Sequence, residues 1–124
     1  MVERDRDNPH AKELLRAHSP HVTTDHVVIE TWFLLKSRHS QSAGMRFWDR
    51  VRTGAVRIEF ATAEDLRQAW RISQAFPDQD FSIVDCTSFA VMERLGIRTV
   101  LTFDHHFSVY RYGLGRNQAF EVLA

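Results

Sequence analysis

The chain has 124 residues, 44% apolar and 26% charged, a length and balance that predict one ordinary globular domain over residues 1–124 and leave no room for two. Sixteen Lys and Arg offset sixteen Asp and Glu, so net charge by itself points to no nucleic acid. No apolar run approaches the roughly 20 residues a bilayer crossing needs, the charged opening MVERDRDNPH is unlike a secretory signal, and the single cysteine, Cys86, excludes an internal disulfide framework and fits a cytoplasmic setting.

Asn8 and Pro9 predict a first helix, Asn as its cap and Pro at its first helical position, running through Leu14 and Leu15 and stopping before Pro20. His21-Val22-Thr23 reads as a strand. A helix follows over residues 25–38, with Val27, Thr31, Leu34 and Leu35 at helical spacing, and a second amphipathic helix over 40–53 carries Met45, Phe47, Trp48 and Val51 until Gly54 ends it. Residues 55–60 alternate as a strand. Thr62 caps a helix to about Gln74, which Pro77 breaks. The next helix spans 82–95 and closes on Gly96, where a left-handed cap is wanted. Residues 98–102, RTVLT, form a short apolar strand, and 120–123 a last one after a glycine-rich turn. Helices between short β-branched strands predict an α/β fold around a mostly parallel sheet, with ligands beyond the carboxyl ends of the strands.

Three acids are placed where such a site would be. Glu30 shares a helical face with Val27 and Leu34, along an apolar stripe. It is either a boundary carboxylate reaching water or an arginine, or a buried acid that needs a cation. Ser82-Ile-Val-Asp85 matches a capping box, so Asp85 either serves the helix start or projects into a cleft. Asp104 follows the strand of residues 98–102 at its carboxyl end, as a turn residue or as a functional one. Taken together the three suit a shared cleft for a hard divalent ion, Mg²⁺ or Mn²⁺, because crowded carboxylates repel unless a cation neutralises them. With no nucleophile–base–orienter set in view, hydrolysis by metal-bound water is the economical chemistry.

Arg46 and Arg50, one turn apart, could face RNA phosphates or form a solvated helix face. Trp32, Trp48 and Trp70 fall on helical stripes and read as core or interface. Seven histidines raise the question of zinc, but no H-x₃-H pattern or cysteine pair supports it, and Cys86 reads as a buried small residue.

The segment DFSIVDCTSFAVMERLGIRTVLTFDHHF, residues 80–107, resembles the C-terminal signature of PIN domains of the VapC type, in which an S-x-V-D helix precedes a strand ending in T-F-D-x-x-F. VTTDHVVIETWFLL, residues 22–35, resembles the helix carrying the family's acid, here Glu30. The resemblance runs from the DNPH segment onward. It implies a three-layer α/β/α domain, an acid cluster binding Mg²⁺ or Mn²⁺, and endonucleolytic cleavage of structured RNA by metal-activated water. It also implies a toxin restrained by an antitoxin protein, and a homodimer. Glu30, Asp85 and Asp104 match the second, third and fourth acids, and Ser82 matches a small hydroxyl residue supporting the cluster. His105 and His106 fall where members vary and receive no role.

One departure stands out. Family members open with a strand ending in Asp-Thr or Asp-Ser, whereas this sequence begins inside the helix that follows it. Asp5 and Asp7 are no substitutes, since no apolar strand precedes them. The expected strand would be central, between the one near Val22 and the one near Val100. Either the true start lies about ten residues upstream, which the surviving acids and core pattern favour, or this is a broken copy. Made as given, the chain is expected to fold poorly and cleave little. A non-catalytic remnant binding RNA or an antitoxin-like partner is the alternative, and a maturation nuclease without an antitoxin is a third reading.

Overall fold

A computed structural model describes residues 21–54, 56–102 and 105–123. The predicted first helix, from Asn8, and the acid Asp104 lie outside the described residues.

Strand β1 (Val22–Thr24) runs directly into helix α1 (Asp25–Arg38), because Thr24 keeps extended backbone while its hydroxyl accepts the Val27 N–H at 3.3 Å. Helix α2 (Gln41–Arg52) starts the same way on Ser40, whose hydroxyl accepts the Ala43 N–H. Strand β2 (Arg57–Glu59) returns to pair with β1, Thr23 facing Ile58. Helix α3 (Ala63–Ala75) is capped by Thr62 and helix α4 (Ile83–Leu95) by Ser82. Gly96 then takes the left-handed conformation expected of it, at φ 69°, where a side chain would be strained. Strand β3 (Thr99–Leu101), the short helix α5 (His106–Val109), a 3-10 turn (Leu114–Arg116) and strand β4 (Glu121–Leu123) complete the order. Among the described residues the predicted helices and strands are present within a residue or two of their expected ends. Helix α5 and the 3-10 turn, too short to show a period, are not legible in the sequence.

Both ladders are parallel, a pairing that needs crossover connections such as the helical segments between these strands provide. Among the described residues they are two separate pairs, β1 with β2 and β3 with β4, the second with Val100 facing Val122. The helix-and-parallel-strand architecture is that of the expected α/β class.

The main core gathers on α4. Cys86, Phe89, Ala90 and Met92 meet Ala69 and Ile72 of α3, Val100 of β3, and Phe107, Tyr110 and Phe120 from the C-terminal stretch. Phe89 is fully buried and stacks on Tyr110, ring centroids 4.3 Å apart and nearly coplanar. The α1–α2 hairpin packs separately. There Gly44 faces the Trp32 indole so closely that a Cβ would lie 3.0 Å from Nε1, so the glycine sets the helix approach. Of the core-or-interface reading of the tryptophans, the core half does not hold for Trp48 and Trp70. Trp32 is half-buried, but Trp48 and Trp70 are 53% and 67% exposed, because the apolar stripes of α2 and α3 are wider than the faces their neighbours cover.

Candidate active site

Asp85 is the best-defined of the predicted acids. Its N–H donates to Ser82 Oγ at 3.0 Å, and its Oδ2 accepts the Ser82 N–H at 2.9 Å. The S-x-x-D spacing at a helix start asks for this reciprocal pair, so the capping reading of Asp85 is the one the geometry shows, with Ser82 as its partner. The Asp85 side chain is 7% exposed. A further partner reaches it from 21 residues downstream: His106 Nδ1 lies 3.0 Å from the same Oδ2. An ionised carboxylate only accepts, so Nδ1 carries the proton and donates.

A second capping box provides the contrast. Thr62 and Asp65 repeat the arrangement at the start of α3, and Asp65 is buried as deeply as Asp85. Burial alone would raise the Asp65 pKa, but the Arg94 guanidinium and the Thr62 donors outweigh it and hold the carboxyl below its usual value. Arg94 grips both carboxylate oxygens at 2.9 Å, which ties α3 to α4. Where Asp65 meets a guanidinium, Asp85 meets an imidazole.

Glu30 lies half-buried on α1, one turn beyond His26. His26 Nε2 is 3.0 Å from Ser88 Oγ of α4 and 3.2 Å from Thr24 Oγ1. Residues three or four apart share a helical face, so this bond joins the face of α1 that bears Glu30 to the face of α4 that bears Asp85. Asp104 is outside the described residues, although Thr102, two positions before it, is buried. Among the described residues no group of three or more His, Cys, Asp or Glu side chains is gathered closely enough to hold a metal ion.

Ser88, His26 and Asp25 superficially form a nucleophile–base–acid chain, with His26 Nδ1 3.8 Å from Asp25 Oδ1. Burial removes that chemistry. Ser88 is fully enclosed within α4, so no substrate carbonyl can reach its hydroxyl, and Asp25 Oδ1 is engaged by the Ala61 N–H. Burial also lowers the His26 pKa against the pull of Asp25, which keeps the ring neutral as a structural link. Cys86 is equally inert: burial, then the neighbouring Asp85 charge, push its thiol up to about 11.

Arg46 and Arg50 are both exposed on α2, Arg46 bonding back to Ser42. Between α1 and α2 lies a cleft of about 270 Å³ lined by Val28, Ile29, Trp32, Phe47 and Trp48. Its lining holds no titratable side chain, so it is not a place for acid chemistry. Sequence reasoning missed His106, since no spacing rule connects positions 85 and 106. Only the folding of α5 against the start of α4 joins them.

Comparison with known proteins identifies the family and the fold. The PIN domain family model matches residues 1–111. The 23S rRNA-specific endonuclease VapC20 of Mycobacterium tuberculosis is 38% identical over 99 residues, covering 79% of this chain and 76% of its own. Ribonuclease VapC26 of the same organism is 31% identical over 91 residues, covering 73% of this chain and 67% of its own. Among solved structures, the crystal structure of M. tuberculosis VapC20, described as a Sarcin-Ricin loop cleaving toxin, superposes with a TM-score of 0.74 at 37% identity, over 81% of this chain and 78% of that one. The chain belongs to the PIN domain family, and within it stands with the VapC proteins.

Proposed function

We propose that the chain is a divalent-metal-dependent endoribonuclease of the VapC type, in which Glu30, Asp85 and Asp104 hold Mg²⁺ or Mn²⁺ and Ser82 supports the cluster. The observation that carries this reading is Asp85: an acid held almost out of water at a helix start, with its orientation fixed by Ser82 and His106. The donor chemistry fits the ion, since carboxylate oxygens suit hard divalent cations, and a buried carboxylate gains most from a cation nearby. When bound, such an ion lowers the pKa of a water and offsets charge building on the scissile phosphodiester. The chain's own part is to hold its carboxylates in place and to bind the RNA backbone, for which Arg46 and Arg50 are the candidates on α2.

The named activities of the relatives make ribosomal RNA the first substrate to test. We place the protein in a toxin–antitoxin pair, with an antitoxin protein as its binding partner and a homodimer as its own assembly. An RNA oligonucleotide carrying the sarcin–ricin loop should be cut at discrete positions with Mg²⁺ or Mn²⁺ and left intact with EDTA. Glu30→Gln and Asp85→Asn should each lose about 100-fold or more in rate. The assay belongs on this chain and on a version lengthened by in-frame upstream codons, because the family's first acid was expected there. RNA binding without cleavage by either version would favour the non-catalytic reading. Cleavage unaffected by both substitutions would refute the assignment of the site.

A further inference from the structure

We propose that His106 is a positioning residue for the metal-binding carboxylate of Asp85, donating from Nδ1 to Oδ2 so that, with the Ser82 N–H, it fixes the plane in which that carboxylate meets its ion. The inference rests on the reading of Asp85 as a metal ligand given above. Family resemblance assigned no role to this position, and it emerges only from the fold.

The ring is held from several sides. The residue after it, Phe107, is fully buried and packs edge-on against Phe89 at 5.0 Å. Four residues on from His106, Tyr110 stacks on the same Phe89 and donates its N–H to the His106 carbonyl. These anchors give the four-residue helix α5 a fixed seat on the core, which a segment that short could not secure through its own hydrogen bonds. The imidazole itself meets the edge of Phe81 at 5.3 Å, close to perpendicular, and its side chain is 17% exposed. A donor so restrained can set the direction of its acceptor rather than follow it.

Two donors now converge on one oxygen of Asp85, the Ser82 N–H at 2.9 Å and His106 Nδ1 at 3.0 Å. They come from different elements, the α4 cap and α5, and so restrain rotation of the carboxylate about its Cβ–Cγ bond from two directions. Partners of this kind, one step removed from an ion, orient the ligand and raise its basicity, and their loss costs about 10- to 100-fold in metal affinity.

The test uses Mn²⁺ alone, with free ion read by electron paramagnetic resonance and stability by thermal unfolding, so that no RNA cleavage is needed. His106→Asn carries an amide N–H near the position of Nδ1, whereas His106→Gln carries it a bond too far and His106→Ala has none. Wild type should bind Mn²⁺ through Asp85, shown by loss of binding in Asp85→Asn. His106→Asn should bind within a few-fold of wild type, and the Gln and Ala variants about 10- to 100-fold more weakly, with melting temperatures near that of His106→Asn. If Asp85→Asn binds Mn²⁺ as wild type does, or wild type binds none, the metal-site reading falls and the proposal with it. If Asp85 is required but all three His106 variants bind like wild type, the metal-site reading stands and His106 has no positioning role. A loss of affinity shared equally by Asn, Gln and Ala, in step with lowered melting temperature, would make the contact a mere cross-link and also overturn the proposal.

Discussion

At the first turn of α1 the His26 ring sits between two hydroxyls, Thr24 below it and Ser88 across on α4. Nε2 of a neutral imidazole carries one N–H or one lone pair, which the two hydroxyls share, each rotating to suit. Protonation is disfavoured there, because burial outweighs the attraction of Asp25 and lowers the folded-state pKa beneath the usual 6.5. The sign follows directly. Just below pH 6.5 the unfolded chain takes up a proton that the folded chain refuses, so this contribution to stability is complete above that pH. It is lost as pH falls towards the depressed folded value. His26→Gln keeps a polar group near Nε2 and cannot titrate, so its stability should fall less than that of wild type between pH 7 and pH 5. Urea unfolding at several pH values measures this, and identical pH profiles for the two proteins would assign the effect elsewhere. Nothing in the sequence distinguishes His26 among seven histidines, since its partner Ser88 lies 62 residues away.

Helices α3 and α4 show how far a local rule reaches. Each opens on a hydroxyl cap followed three residues later by aspartate, and each forms the reciprocal box that this spacing demands. Such boxes are legible because the interacting groups lie within one turn. The partner each aspartate then acquires is not legible, and it separates their roles: Arg94 for Asp65, His106 for Asp85. Removing Arg94 leaves Asp65 buried with only its cap donors. Arg94→Ala should therefore cost about 2 kcal/mol, the range for a hydrogen bond to a charged group. The partial exposure of Arg94, 37%, keeps this from reaching the cost of a fully buried pair. The Asp65 pKa is held below its usual 3.8, so its contribution is present above that pH and lost as acid is added below it. Arg94→Ala should flatten that acid limb of the stability curve, and a variant as stable and as acid-sensitive as wild type would show that the clamp contributes nothing.

Across the molecule, burial is uneven. The main core draws on α3, α4, β3 and the C-terminal aromatics, while α1 buries only Val27 and leaves Ile29 and Phe33 each 58% exposed. Regions with few buried contacts open at lower free energy. Native-state hydrogen exchange should find the slowest amides in the middle of α4, around Phe89 to Met92, and markedly faster exchange along α1 and α2. Equal protection in both regions would mean that the hairpin is tied to the core by more than the His26–Ser88 bond and the faces around it. The sequence alone determined the order of the longer helices and the strands, the caps Thr62 and Ser82, the left-handed Gly96 and the family signature around Ser82 and Asp85, because each depends on residues within a turn or on a short motif. Tertiary structure decided which stripe is buried and which stays exposed, as at Trp48 and Trp70, and which side chain answers each buried acid. Those outcomes depend on contacts between residues far apart in the chain, and no local periodicity encodes the partner that packing brings across.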